Sequence, residues 1–105
     1  MYDIMGDNLG DKVRVEFYFM IRKAAGQSRT EMEIANTTLN GLLNNLAVQF
    51  GKKFQEELFD PDNNQIRPLY QILVNGRPYL KLPDHLDTIL KDGDVIAIFS
   101  PVGGG

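Results

Sequence analysis

The sequence closes on FSPVGGG, residues 99–105, so that Gly103, Gly104 and Gly105 place a carboxylate at the end of a backbone without side chains. Glycine loses more conformational freedom on ordering than any other residue. It also offers nothing for catalysis, core packing or metal binding. Such an end is either an idle tail or a narrow length of chain for another molecule to grip. Other chemistry-bearing residues are sparse. There is no cysteine, which removes disulfides, thiolate nucleophiles and thiolate metal sites together. Any sulfur handled here is therefore not the chain's own. His85 is the single histidine, set between Asp84 and Leu86, and reads as a surface loop residue. Glu56 and Glu57 read as a solvated helix face. The stretch DPDNNQ puts Asp60, Asp62 and Asn64 at positions 1, 3 and 5 of a calcium loop. Position 6 is Gln65 rather than glycine and position 12 is Gln71 rather than glutamate, so a polar turn is the better reading. With no triad, phosphate loop or metal-ligand cluster, the chain does not read as a self-contained catalyst, and no bound cofactor or metal is expected.

The elements that must carry the terminus follow from the periodicity. VRVEFYFMI, residues 13–21, alternates and then becomes apolar throughout, as a buried strand does. Val13, Val15, Phe17 and Phe19 are expected on one face, with Arg14, Glu16 and Tyr18 on the other. Gly26 turns the chain, and RTEMEIA, residues 29–35, alternates again with Met32 and Ile34 inward, which predicts a hairpin. Thr37 or Thr38 can cap a helix whose apolar stripe is Leu39, Leu42, Leu43, Leu46, Ala47 and Phe50, stopped by Gly51. KKFQEELF adds a short helical turn and DPDNNQIRP a loop. LYQILVN is a third strand with a turn at Asn75-Gly76, RPYLKL a short broken one, and DGD at 92–94 turns into the last strand, VIAIF. One helix covers only one face of a sheet, and the last strand returns beside the first. The expected fold is α+β, a β-grasp (ubiquitin-like) mixed sheet packed on one main helix. It spans residues 12–100, between a polar arm at 1–11 and a tail at 101–105.

Composition bounds the partners. The 105 residues, 43% hydrophobic and 24% charged, suit one soluble globular domain. A net charge of −3 disfavours nucleic acid, which needs a basic face. No apolar run approaches the roughly 20 residues of a membrane span, and the acidic start MYDIMGDNLGD does not suit a signal peptide, so the cytoplasm is expected.

Three stretches carry a resemblance. LDTILKDGDVIAIFSPVGGG looks like the C-terminal signature of the MoaD/ThiS sulfur carriers, with the DGD turn, a last strand, Phe-x-Pro-Val and a terminal Gly-Gly. VRVEFYFMIRKAAG and LVNGRP are similar to the family's first and third strands. The tail favours the small subunit of molybdopterin synthase over the shorter thiamine-pathway carrier. Ser100 stands where many relatives have proline. The resemblance implies that an E1-like enzyme adenylates the Gly105 carboxylate with ATP, which the activating partner uses, and that sulfur replaces the adenylate to give a thiocarboxylate. The large subunit of molybdopterin synthase would then take the tail and pass the sulfur to a cyclic pyranopterin precursor. It further implies that Gly105 bears the reactive group and that Gly104 and Gly103 are threaded into both active sites. Five extended residues from Pro101 through Val102 to Gly105 reach at most roughly 17 Å. Pro101 limits freedom at the root by fixing φ.

Ile96 and Ile98 suit the core, which places Val95, Ala97 and Phe99 on the opposite face. Tyr18 and Phe99 are then expected side by side, forming with Pro78 either a patch covered by a loop or a docking surface beside the tail. A ubiquitin-like modifier joined to lysines through Gly105, or a carrier for another pathway such as thiamine, shares the activation step. An interaction module with an inert tail lacks it.

Overall fold

The computed structural model describes residues 10–101. The chain runs through strand β1 (Lys12–Tyr18), helix α1 (Met20–Ala25), strand β2 (Arg29–Glu33), helices α2 (Leu39–Phe50) and α3 (Lys52–Leu58), and strands β3 (Gln71–Val74), β4 (Arg77–Pro78) and β5 (Val95–Phe99). Two short 3₁₀ turns, Tyr79–Lys81 and His85–Asp87, lie between β4 and β5. The five-stranded sheet has the order β2-β1-β5-β3-β4. The last strand runs parallel to the first, Val15 opposite Ile96 and Phe17 opposite Ile98. It is antiparallel to β3, Ile72 opposite Ile98. The chain is thus an α+β ubiquitin-like β-grasp, with its C-terminal strand at the centre of the sheet.

The apolar stripe of α2 explains the packing. Leu39, Leu42, Leu43 and Leu46 are fully buried with Val13, Val15, Phe17, Ile72, Ile96 and Ile98. Thr38 is the cap, its Oγ1 accepting from the Gly41 N–H at 3.0 Å. Gly51, at φ 94°, separates α2 from α3, a left-handed angle that glycine adopts without the steric cost other residues meet. Phe54 on α3 is fully buried, its ring edge-on to Phe17 at 5.7 Å. Phe50 meets the same Phe17 ring at 5.5 Å. Ahead of β5, the Asp94 carboxylate accepts from the Lys91 N–H and the Asn75 side-chain amide. Asn75 Oδ1 in turn accepts from the Val95 N–H. The DGD turn and the Asn75-Gly76 turn are thereby locked together at the base of the last strand.

Three expectations are corrected at the far end of β1. The strand does not continue to residue 21; it ends at Tyr18, and Met20–Ala25 is helical. Phe19 is not on the core face with Val13, Val15 and Phe17. It sits at φ 70° and ψ −133° and is about half exposed, 49%. The apolar run misleads because Ile21 and Ala25 are buried from a helix rather than a strand. The connection between β1 and β2 is therefore a helical turn, not a short loop, although the two strands pair antiparallel.

Candidate functional site

Strand β5 delivers the chain to the end of the sheet where β1 also ends, with Phe99 opposite Tyr18 on one side and Gln71 on the other. Both aromatic side chains lie on the face away from α2, because their neighbours Phe17 and Ile98 point into the core. Their rings stack with centroids 4.4 Å apart and planes 5° apart. The Tyr18 hydroxyl donates to Glu16 at 2.9 Å. That bond, with burial and the Glu16 charge adding to it, raises the Tyr18 pKa. Glu16 also faces Arg14 at 3.7 Å.

Pro78 is exposed and lies opposite Leu73 on β3, while Leu73 lies opposite Ala97 on β5. It therefore shares the outer face with Phe99 but not the same cross-strand row. The structure brings Tyr18 and Phe99 into contact and leaves Pro78 across β3 from them. Leu73, half-buried, fills the space between, and sequence reasoning did not name it. The uninterrupted run Ile72-Leu73-Val74 was the available signal, since an alternating strand would carry a polar residue at its centre. The outer face carries the apolar Leu73, Ala97 and Phe99 over β3 and β5, with exposed Gln71 opposite Phe99, and is charged over β1 and β2, where Arg14, Glu31 and Arg29 are exposed.

Beyond β5 the chain is held for one residue more. Ser100 is buried, at 2% exposure, and its hydroxyl donates to the Tyr18 carbonyl at 2.8 Å. The same oxygen accepts from the Ile21 N–H at 2.9 Å. Pro101 follows, half-buried. A groove of about 360 Å³ opens here, lined by Phe19, Leu69, Gln71, Phe99, Ser100 and Pro101. Phe19 and Leu69 are exposed apolar residues, and Phe19 holds a left-handed backbone angle. Such a conformation costs on the order of 1–3 kcal/mol for a bulky residue. Neither is expected here from the sequence: Phe19 falls in an apolar run that suits a core strand, and Leu69 opens LYQILVN, which suits a strand from residue 69, although β3 begins only at Gln71. Val102, Gly103, Gly104 and Gly105 lie outside the described residues, as does most of the 1–11 arm.

The remaining candidates are placed elsewhere. His85 is exposed on its 3₁₀ turn. Asp60 Oδ1 accepts from the Asp62 N–H and Asn63 Oδ1 from the Gln65 N–H, so these oxygens serve their own turn. Glu57 accepts the Tyr70 hydroxyl at 2.5 Å. Burial first, then that bond, push Tyr70 well above the usual tyrosine range. Among the described residues no group of three or more His, Cys, Asp or Glu side chains is placed to hold a metal ion. No described helix is long and apolar enough to cross a membrane.

A β-grasp whose central last strand hands the chain out through an anchored root defines the ubiquitin-like carriers and modifiers as a class. Residues 15–105 match the ThiS family model, and the chain belongs to that family. It is similar to small archaeal modifier protein 3 of Haloferax volcanii, 26% identical over 95 residues, covering 90% of this chain and 99% of the relative. Among solved structures, it is similar to small archaeal modifier protein 1 from Methanosarcina acetivorans, with TM-score 0.77 and 26% identity over 90% of this chain and 97% of that one. It also resembles a Pyrococcus furiosus protein assigned as subunit 1 of a molybdopterin converting factor. There the TM-score is 0.67 and the identity 32%, over 88% of this chain and 99% of that one.

Proposed function

We propose that the chain carries sulfur on Gly105 as a thiocarboxylate and donates it as the small subunit of molybdopterin synthase. The observation that carries this reading is the route of the last strand: central β5 runs through buried Ser100 to Pro101, which only Val102 separates from the glycines in sequence. A folded body is thereby tied to a backbone thin enough to enter an enclosed site. An acyl adenylate must react where water is excluded, and glycine lets such a site close tightly around the chain. In the first step a Gly105 carboxylate oxygen attacks the α-phosphate of ATP on an E1-like partner, releasing pyrophosphate. Sulfide-level sulfur then attacks the acyl carbon and AMP leaves. Gly103 and Gly104 pass through the constriction, while Val102 and Pro101 sit at its mouth. The stacked pair of Phe99 and Tyr18, with Pro78 farther along the same outer face across β3, meets the partner outside.

A second reading is favoured by the modifier name of a 26% identical relative. A lysine amine of another protein would attack the same adenylate, leaving an isopeptide at Gly105. Denaturing mass spectrometry of the protein from its native cells separates the two. A single sulfur-for-oxygen exchange supports the carrier; covalent adducts of protein size support the modifier. An unmodified chain in cells making molybdopterin counts against both.

A further inference from the structure

The side chain of Ser100 is polar and buried, at 2% exposure. A buried hydroxyl is costly unless its bonds are made, and this one makes two, to different parts of the chain. It donates to the carbonyl of Tyr18, the last residue of β1, and accepts from the N–H of Ile21 in the first turn of α1. The two partners flank Phe19 and Met20, and Phe19 caps α1 without any side-chain hydrogen bond of its own. A helix start leaves N–H groups that need an acceptor. Here the acceptor comes from 79 residues away in sequence. The backbone N–H of Ser100 also points to the Tyr18 carbonyl, at 3.3 Å. The strand ladder ends at Phe99, yet the chain stays fixed through the next residue, and Pro101 then restricts φ.

We infer that Ser100 is a positioning residue for the activation of Gly105. It fixes the point and direction in which the chain leaves the fold, so that fewer residues must be ordered when the terminus enters a partner's site. The inference rests on the proposed carrier reading. Ordering lost at the root has to be recovered in every bound state, ground and transition state alike. Its removal therefore raises KM and leaves kcat unchanged. A residue that only stabilised the fold would instead lower the fraction of active chains.

The test compares the full chain with Ser100→Ala and Ser100→Thr in ATP-dependent adenylation by the cognate activating enzyme, at a temperature where all three are folded by circular dichroism. Amide exchange at Ile21 is followed in parallel. Ser100→Ala is expected to lose protection at Ile21, to raise KM for the carrier about 3- to 10-fold, and to keep kcat within about two-fold. Ser100→Thr keeps the hydroxyl and is expected to restore KM. A Ser100→Ala chain with wild-type KM, or one whose loss lies wholly in kcat, overturns the inference while the carrier reading stands. A wild-type chain that the activating enzyme does not adenylate overturns the carrier reading, and this inference with it.

Discussion

Replacing Phe99 by alanine separates the two roles an aromatic residue at this position can have. The ring is half-buried, stacked on Tyr18 at 4.4 Å and inclined to Phe19 at 6.3 Å. Truncation removes an aromatic pair worth about 0.5–1.5 kcal/mol. It also removes about half the burial of a phenylalanine, about 1 kcal/mol. The expected loss of stability is therefore about 2 kcal/mol, well inside the 5–15 kcal/mol or so of an ordinary domain, so the variant stays folded. An aromatic anchor near the centre of an interface is worth about 2 kcal/mol or more to binding, or about 30-fold in affinity. Urea titration reads the first quantity. Calorimetric titration with the activating enzyme, and separately with the large subunit, reads the second. Affinities within about two-fold of wild type, beside a stability loss above about 3 kcal/mol, would make Phe99 a core residue and refute the docking surface.

Four further outcomes are expected. Leu43→Ala, at a fully buried site between helix and sheet, should cost about 2–5 kcal/mol in urea unfolding. Val48→Ala, on the exposed face of α2, should change stability by less than about 0.5 kcal/mol. Tyr70 holds its proton in the folded state beyond the point at which the unfolded chain loses it. Its contribution is thus complete below about pH 10 and falls as pH rises, by about 1.4 kcal/mol at pH 11. Urea midpoints at pH 9 and 11 should show that Tyr70→Phe loses this part of the dependence. Gly104→Val adds bulk and disfavours positive φ. It should abolish thiocarboxylate formation, read by mass spectrometry, while leaving the thermal midpoint unchanged.

The sequence was most informative where burial is one-sided. The stripe from Leu39 to Phe50 identified the helix face through its single helical period, and Ile96 and Ile98, two apart on a last strand returning beside the first, placed Phe99 outward next to Tyr18. It was least informative at residues 19–25. There a buried strand and a short helix both present apolar residues, and periodicity over so few positions does not separate them. The left-handed angle of Phe19 has no local sequence signal, since it is fixed by the helix that follows and by Ser100 from the far end of the chain. Leu73 was hidden for a related reason, being apolar on both faces of a strand whose outer side is not covered by α2. Ser100 carried no motif at all. Its role depends on a parallel pairing between the first and last strands that brings residues about 80 positions apart into contact.

The central claim is that the free carboxylate of Gly105 is the working group. It is tested most directly by extending the chain with one or more residues after Gly105 and incubating it with the activating enzyme, ATP and sulfide. Intact mass is then read under denaturing conditions. The account predicts that a chain ending at Gly105 gains one sulfur in exchange for one oxygen, and that the extended chain, equally stable to heat, gains none until it is cleaved after Gly105. An extended chain that acquires sulfur without such cleavage would contradict it.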